Sequence, residues 1–296
     1  MQIVKILGGL GNQMFQYAFA CELELRSKRQ VQLDLSSYGT YGLHNGYELQ
    51  RVFGINAQSA DVRDVDRLST RPSNIIKRFI RKYYTKKTHF IDRYFGFYEK
   101  VFDEKDDTYF DGYWQSEKYF SSVEERVRAD FRFQLPLDAL SETLLSSLPR
   151  PSLAVHVRRG DYLKSVNQFV CKEDYYRRAL DEALSLGDIA SVVFLSDDPH
   201  WCKEHLQCDG LQTYYPDWNK GSDSWRDMAI MAACDHAIIA NSSFSWWGAW
   251  LNANAGKRIY APAIWNRRQI ESNDRYYSFK FDDIVPAKWI RIRNDV

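Results

Sequence analysis

From residue 153 to residue 261, short apolar runs alternate with segments of helical periodicity, and this alternation is the strongest constraint on the fold. The predicted strands lie at 153–157, 191–195, 211–215, 236–240 and 257–261, and the predicted helices at 173–186, 224–234 and 244–254. Strands that alternate with helices build a parallel sheet with helices packed on its faces. This part of the chain therefore predicts an α/β domain.

The N-terminal end carries one further unit of the same kind. The predicted order is strand, glycine-rich turn, helix and strand, at residues 2–7, 8–13, 14–26 and 30–35. Together these segments make a βαβ unit. Because two prolines predict a linker at 148–152, we expect two α/β domains, residues 1–148 and residues 149–296.

The composition excludes several classes of protein. A formal net charge of +1 gives no reason to expect nucleic acid as a partner. No apolar run reaches the roughly 20 residues of a membrane-spanning helix, and the first residues do not have the pattern of a signal peptide. Five scattered cysteines do not predict a disulfide framework and are typical of a protein in a reducing cytoplasm.

Four polar motifs directly follow predicted strands, and ligands of open parallel sheets bind beyond the carboxyl ends of the strands. The first motif is GGLGNQ at residues 8–13. Its glycines allow close backbone approach and the next helix offers N–H groups to an anion, which makes Gly9, Gly11 and Asn12 candidate binding residues. A dinucleotide site using Asp34 is an alternative, although Met14 replaces the third glycine of that motif.

The second motif, HVRRGDY at residues 156–162, places two guanidinium groups at a strand end. Arginine makes bidentate contacts with phosphate oxygens, so the motif suits a diphosphate. Because neighbouring strand residues point to opposite faces, we expect one of Arg158 and Arg159 to meet the ligand and the other to brace the loop. Asp161 can orient an arginine, bind a sugar hydroxyl or accept a proton, and His156 shares a face with Arg158. The alternative is a structural Arg–Asp pair.

The third motif is SDDP at residues 196–199. Asp197 and Asp198 can accept hydrogen bonds from a guanine or a ribose, or bind a divalent metal. An aspartate before a proline also starts helices, so helix capping is an equal alternative.

The fourth motif, NSSFSWWGAW at residues 241–250, places hydroxyl groups where a strand meets a helix. A helix start of this kind binds anions. The candidate ligand-binding residues are Asn241, Ser242, Ser243, Phe244 and Ser245. The tryptophans that follow are expected to pack the helix on the sheet. The DVD sequence at 64–66 and the cluster of histidines and cysteines at 200–208 do not predict a metal site.

These motifs, in this order, resemble those of the α-1,2-fucosyltransferases of bacteria and animals. The resemblance rests on GGLGNQMFQYA at 8–18, DGYWQS at 111–116, HVRRGDY at 156–162, FLSDD at 194–198, WRDM at 225–228, NSSFSWWGAW at 241–250 and WIRI at 289–292. It implies a GT-B-like α/β fold of two facing Rossmann-like domains. The N-terminal domain would lie mainly on the acceptor side, and the C-terminal domain would bind GDP-fucose.

The resemblance also implies a reaction and roles for residues. L-fucose would pass from GDP-β-L-fucose, a co-substrate, to the 2-hydroxyl of a terminal galactose, with inversion and without a metal or other cofactor. Arg158 would hold the β-phosphate with the help of 243–245, and Asp197 or Asp198 would meet the guanine or ribose. Asp227 is a lesser candidate for the guanine, and residues 9–12 would face the fucose.

The physical demands of the reaction agree with these roles. Negative charge develops on the departing GDP, and a cation beside a helix start stabilises it. A general base would help the acceptor hydroxyl to attack, and Asp161 and His156 are the candidates.

Membrane contact and two rival functions stay open. Residues 75–88 alternate basic and apolar side chains, which indicates either a peripheral contact with the inner membrane or a helix with one solvated face. An acceptor built on a lipid-linked glycan, rather than a free oligosaccharide, would suit the membrane contact. The rival functions are a non-catalytic sugar-nucleotide or carbohydrate-binding protein and, less favoured, a nicotinamide-dependent oxidoreductase.

Overall fold

The computed structural model describes residues 1–39, 45–70, 85–93, 95–104, 106–164, 170–266, 269 and 281–295, without the side chains of Asp161 and Lys164. The chain forms two compact units. The first comprises Met1–Arg132 and Asp274–Asp283, and the second comprises Phe133–Asn273 and Ile284–Val296.

The first unit is built on a parallel sheet. Its strands are β1 (Gln2–Lys5), β2 (Val31–Asp34), β3 (His89–Ile91) and β4 (Thr108–Asp111), in the order β2-β1-β4-β3. Its helices are α1 (Leu10–Ser27), α2 (Leu49–Phe53), α3 (Val62–Leu68) and α4 (Glu124–Asp130), with 3-10 turns at Ser36–Gly39, Glu99–Asp103, Glu117–Val123 and Phe281–Asp283. The predicted βαβ opening is confirmed as β1, α1 and β2.

The second unit begins with α5 (Ala139–Ser147). It continues with β5 (Ser152–Val157), α6 (Gly160–Lys164), α7 (Glu173–Leu184), β6 (Ser191–Ser196), α8 (Pro199–His205) and β7 (Gln212–Tyr214). The remaining elements are the 3-10 turn Gly221–Asp223, α9 (Trp225–Ala233), β8 (His236–Ile238), α10 (Ser243–Leu251), β9 (Ile259–Pro262) and β10 (Ile290–Ile292). Each strand and helix predicted between residues 153 and 261 is present, with ends shifted by at most a few residues.

The six strands of the second unit are parallel, in the order β10-β9-β8-β5-β6-β7. Counted along the chain from β5, this is the doubly wound order, in which the connections reverse direction between β5 and β8. Such a reversal opens a crevice at the carboxyl ends of the two central strands. The topology alone therefore marks the β5–β8 boundary as the place for a ligand.

The division between the units falls after Arg132, sixteen residues before the predicted boundary at 148. The reason is that α5 packs on α9 of the second unit. The N-cap Asp138 pairs with Arg226 at 3.2 Å, and the Ser141 hydroxyl accepts a hydrogen bond from the Trp218 indole at 3.0 Å. The proline linker therefore joins two elements of one unit.

Large side chains fill both cores. In the second unit, Trp246 and Trp247 are fully buried, as expected for side chains that pack α10 into the core. In the first unit, Phe19 of α1 stacks on Trp114 with ring centres 4.1 Å apart. All five cysteines are buried free thiols. Within the described parts of the chain, no helix is both long and apolar enough to cross a membrane.

Candidate functional site

The pairing of β5 with β8 brings two of the predicted motifs together. Val155 lies opposite Ile238 in this parallel pair. Arg158 and Asn241 each lie three residues further along the chain from this pair. The Tyr162 hydroxyl links the two loops, because it donates to the Asn241 carbonyl at 3.2 Å and its ring lies 5.7 Å from the Arg158 guanidinium. HVRRGDY and the start of NSSFSWWGAW thus meet at the crevice that the topology marks.

Asp197 holds the loop that follows β5. One of its carboxylate oxygens accepts from the Arg159 backbone N–H at 2.9 Å. The other accepts from the Gly160 N–H at 3.1 Å and lies 3.3 Å from the Arg158 guanidinium. A Cβ atom at residue 160 would come within 2.8 Å of this carboxylate, so a larger residue there would displace Asp197. Asp197 therefore fixes both the loop and the direction of Arg158.

The two neighbouring arginines have different surroundings. Arg159 is 18% exposed, lies 3.4 Å from the Asp198 carboxylate and stacks its guanidinium 4.0 Å above the Trp201 ring. Arg158 is 30% exposed. Arg159 thus has the bracing position, and Arg158 is the arginine that a ligand can reach. Asp198 also caps α8 by accepting from the Trp201 N–H at 3.1 Å, as the helix-capping interpretation predicted.

The start of α10 is a candidate anion site. Among the residues that the structure describes, no side chain caps this helix at Ser242. The Ser245 hydroxyl is buried and donates to the carbonyls of Ala240 and Ser242, so it faces inward. The Asn241 amide donates to the Trp265 carbonyl at 2.9 Å, which is a structural bond. Of the five residues predicted here, Ser243 and Phe244 are the partly exposed ones. An anion at this helix start would be bound by backbone N–H groups and the Ser243 hydroxyl.

His156 is buried beneath this site. Its ring lies 5.5 Å from that of Phe244. Burial, reinforced by the nearby Arg158 cation, lowers the pKa of His156 to about 3. The imidazole is therefore neutral at physiological pH and too weak a base to take a proton from a sugar hydroxyl. The side chain of Asp161, the other predicted base, lies outside the described part of the structure, and its backbone belongs to α6.

In the first unit, the glycine-rich turn leads into α1 at the N-cap Gly9, and no side chain of the described ranges caps the helix there. Gly11 is buried in the first helical turn, and Asn12 is partly exposed. Asp34 is 4% exposed and accepts hydrogen bonds from the Tyr109 hydroxyl at 2.7 Å and the Ser36 N–H at 3.0 Å. The carboxylate is already occupied by protein donors, so it does not suit a ribose.

Sequence comparison identifies the family. The sequence profile of Glycosyl transferase family 11 matches residues 61–293. The chain belongs to this family. The α-1,2-colitosyltransferase of Escherichia coli is 35% identical, and the match covers 98% of each chain. The Escherichia coli O-antigen biosynthesis glycosyltransferase WbnK is 28% identical over 87% of this chain and 92% of its own. The galactoside α-(1,2)-fucosyltransferase 1 of Saimiri sciureus is 28% identical over 60% of this chain and 50% of its own.

The family 11 chain also shares its fold with solved fucosyltransferases. The crystal structure of POFUT1 in complex with GDP-fucose matches 87% of this chain and 97% of its own, with a TM-score of 0.51 and 14% sequence identity. The likeness confirms the predicted GT-B-like α/β fold class. Because the chain belongs to Glycosyl transferase family 11, the protein is a glycosyltransferase, and the oxidoreductase alternative is wrong.

Several residues of the family 11 site were not found from the sequence. Trp201 lies outside the four motifs. It stands three residues after Asp198, the position whose backbone N–H an N-cap aspartate can bind. Tyr162 was inside the HVRRGDY motif but had no assigned role, and it links the two loops. Residues 71–84, which include most of the basic stretch, lie outside the described structure. Lys86, which is described, donates to the carbonyls of Asp66 and Arg67 at the end of α3.

Asp227, in the first turn of α9, gives a testable pH dependence. Burial raises its pKa to about 7, and the nearby Asp138 adds to the rise, although Asn219 donates to the carboxylate at 2.8 Å. In the unfolded chain the carboxyl ionises near its ordinary pKa of 3.8. Between these values the unfolded state binds fewer protons, so stability falls as the pH rises toward 7.

We expect Asp227→Asn to remove this loss of folding stability, because the asparagine side chain does not ionise. Its amide oxygen can still accept the hydrogen bond from Asn219. The melting temperature of the variant should match the wild type near pH 4 and exceed it at pH 8. Thermal unfolding monitored by circular dichroism at both pH values measures the difference. Melting curves that stay parallel across this range would contradict the shifted pKa.

Proposed function

We propose that this family 11 enzyme is a galactoside α-1,2-fucosyltransferase that moves L-fucose from GDP-β-L-fucose to the 2-hydroxyl of a terminal galactose. The observation that carries the proposal is that the loop after β5, which contains Arg158, meets the loop that leads into α10 at the point where the strand order reverses. A guanidinium and a helix N-terminus together make a site for a diphosphate. The names of both relatives support the α-1,2 linkage, and the name of the galactoside α-(1,2)-fucosyltransferase supports the sugar.

The charge that develops in the reaction defines the role of each group. As the bond between fucose and GDP breaks, negative charge gathers on the β-phosphate. Arg158 and the first N–H groups of α10 neutralise that charge, and the Ser243 hydroxyl adds a donor. Because Asp197 and the β5–α6 loop already fix the guanidinium, little reorganisation accompanies the charge transfer, which is the condition for electrostatic catalysis. Asp227 and Asp198 are the proposed contacts for the guanine and ribose.

Inversion follows from a single displacement, in which the acceptor hydroxyl attacks the face of the sugar opposite the leaving GDP. The proposed base is Asp161, which follows Gly160 at the start of α6. His156 is not proposed, because its neutral, buried ring already packs on Phe244. We propose that Gly9, Gly11 and Asn12 contact the sugar substrates.

A second donor has specific support. The relative that is 35% identical along nearly the full chain is named a colitosyltransferase. Colitose is L-fucose without the 3-hydroxyl, so the two donors differ by one polar group. A site that hydrogen-bonds a hydroxyl rejects the deoxy analogue strongly, whereas an apolar site accepts either sugar within a small factor. The choice between the donors therefore depends on whether a polar side chain faces position 3.

The test is a transfer assay with GDP-fucose and GDP-colitose against a panel of terminal galactosides. The linkage and anomeric configuration of the product are read by NMR. We expect an α-1,2 product from GDP-fucose, formed equally well in EDTA, because the proposed site uses a guanidinium where other transferases use a metal. Loss of activity in EDTA would contradict metal independence. GDP binding without acceptor-dependent GDP release from either donor would favour the binding-protein alternative.

The acceptor is proposed to be a galactose-terminated oligosaccharide or lipid-linked glycan at the cytoplasmic face of the inner membrane. The O-antigen relative supports this place in surface polysaccharide assembly. Residues 75–88 would then supply the membrane contact. Replacing the lysines and arginines of this stretch with glutamine should weaken co-sedimentation with anionic liposomes, and unchanged co-sedimentation would end this part of the proposal.

A further inference from the structure

The side chain of Asn12, in the first unit, is held by a residue far along the chain. Its amide oxygen accepts a hydrogen bond from the Gln115 side-chain amide at 2.8 Å. This bond decides which end of the Asn12 amide can serve a ligand. With the oxygen occupied, the Nδ2 group is the end that can donate to a substrate.

The packing at Gly8 reinforces this orientation. A Cβ atom at residue 8 would lie 2.7 Å from Asn12 Nδ2, and Gly8 has a φ of +85°. Both the close contact and the backbone conformation favour glycine at this position. The NH₂ group of Asn12 therefore packs against the Cα of Gly8, which has no side chain. In the part of the chain that the structure describes, no residue accepts a hydrogen bond from Asn12 Nδ2, and Asn12 is partly exposed. The donor is available to a ligand.

The loop that carries Gln115 is anchored along one face of α1. Gln16 donates to the Gly112 carbonyl at 3.2 Å, and Phe19 stacks on Trp114 at 4.1 Å. Together with Asn12, these side chains follow the i, i+4, i+7 spacing of one helix face. The helix thus contacts loop residues 112, 114 and 115 in successive turns, and the contact nearest its N-terminus is the one between Asn12 and Gln115.

The same loop contains a strained backbone. Trp114 has a φ of +55°, the left-handed region that bulky residues rarely adopt. Its ring is 1% exposed, and the next anchor is Ser116, whose hydroxyl donates to the Asp283 carbonyl at 2.7 Å. Strain of this kind persists only where the surrounding packing imposes it, and it is concentrated at functional sites. Here the buried ring holds the loop in the conformation that directs Gln115 toward Asn12.

We propose that Gln115 is a positioning residue that fixes the Asn12 amide with its NH₂ group directed to the sugar substrate. The proposal rests on the proposed function, in which Asn12 contacts that substrate. Gln115 itself need not touch the substrate. Its effect passes through the orientation of one amide, so its replacement should change the rate of transfer more than the binding of GDP.

The main test compares Gln115→Ala, Asn12→Ala and the double variant in the transfer assay. We expect Gln115→Ala to lower kcat about tenfold, since it releases one aligned donor, and to leave the GDP dissociation constant unchanged. The double variant should be no slower than Asn12→Ala, because both changes remove the same contact. Independent, multiplying losses would overturn the proposal, as would full activity in Gln115→Ala.

Gln115→Glu is a near-isosteric variant, which separates a loss of positioning from a loss of folding. A carboxylate at 115 accepts hydrogen bonds, so it should turn the Asn12 amide around and leave the oxygen facing the substrate. We expect a loss at least as large as for Gln115→Ala, with a wild-type melting temperature. Gln207→Ala, which changes an exposed glutamine of the second unit, is the matched control and should leave kcat unchanged.

A readout without turnover separates this proposal from the proposed function. The side-chain amide signals of Asn12 in a ¹⁵N NMR spectrum report its hydrogen bond whether or not GDP-fucose is the donor. We expect these signals to shift in Gln115→Ala. Unmoved signals would overturn the positioning role, whereas shifted signals in an enzyme that transfers neither sugar would leave that role intact and refute the donor assignment.

Discussion

Arg158→Ala should reduce kcat/KM for transfer by a factor on the order of a hundred or more, because it removes a fixed cation from the place where leaving-group charge develops. The loss should appear mainly in kcat, since the charge on the β-phosphate grows only as the bond to the sugar breaks. Initial rates of GDP release at saturating acceptor, over a range of donor concentrations, separate kcat from KM.

Two further variants serve as comparisons for Arg158→Ala. Arg158→Lys keeps the charge but loses the bidentate geometry, so its activity should lie between those of the wild type and Arg158→Ala. Arg177→Ala changes an exposed arginine of α7 that pairs with Glu173, and it should leave transfer unchanged, because such surface pairs contribute little. Near-normal turnover in a folded Arg158→Ala protein would remove Arg158 from the mechanism and the proposed diphosphate site with it.

Asp197→Asn is expected to have the second largest effect, a loss of roughly tenfold to a hundredfold in kcat/KM through the misplacement of Arg158. The carboxylate accepts from two backbone N–H groups and from the Arg158 guanidinium. The asparagine amide has only one acceptor oxygen, so it cannot accept from all of these donors. Its NH₂ group would face one of them and could not accept the hydrogen bond.

The control for Asp197→Asn separates positioning from folding. Asp188→Asn, which changes a surface carboxylate that pairs with Arg258, should leave kcat/KM unchanged. The melting temperatures of both variants should stay close to that of the wild type if the change is confined to the loop. A wild-type kcat/KM for Asp197→Asn would show that the loop holds Arg158 without this carboxylate.

The second unit could be predicted closely from the sequence because its inner strands β5, β6, β8 and β9 are buried on both faces. Such strands are nearly continuous apolar runs, and the long helices between them have clear periodicity, whereas the short helices α6 and α8 and the edge strand β10 were not predicted. The polar motifs gained their meaning from position, since each follows a strand. The register of β5 and β8 brought two of them together, as expected for the carboxyl end of a parallel sheet.

The first unit was harder to predict for a physical reason. Strands β3 and β4 have only three and four residues, which is too short for a periodic pattern to mark them. The contact between Gln115 and Asn12 joins residues 103 positions apart and depends on the backbone conformation of Trp114, which no local propensity favours. The inward direction of the Ser245 hydroxyl likewise follows from the geometry of the helix start and could not be read from its residue type.

The burial of all five cysteines has a practical consequence. Burial raises the pKa of Cys21, Cys171 and Cys202 to about 12, so their thiolate fraction near neutral pH is very small. A maleimide dye should therefore react with a cysteine introduced on the surface and spare the native ones. One introduced cysteine on each unit would allow the distance between them to be followed by fluorescence energy transfer while GDP and acceptor are added.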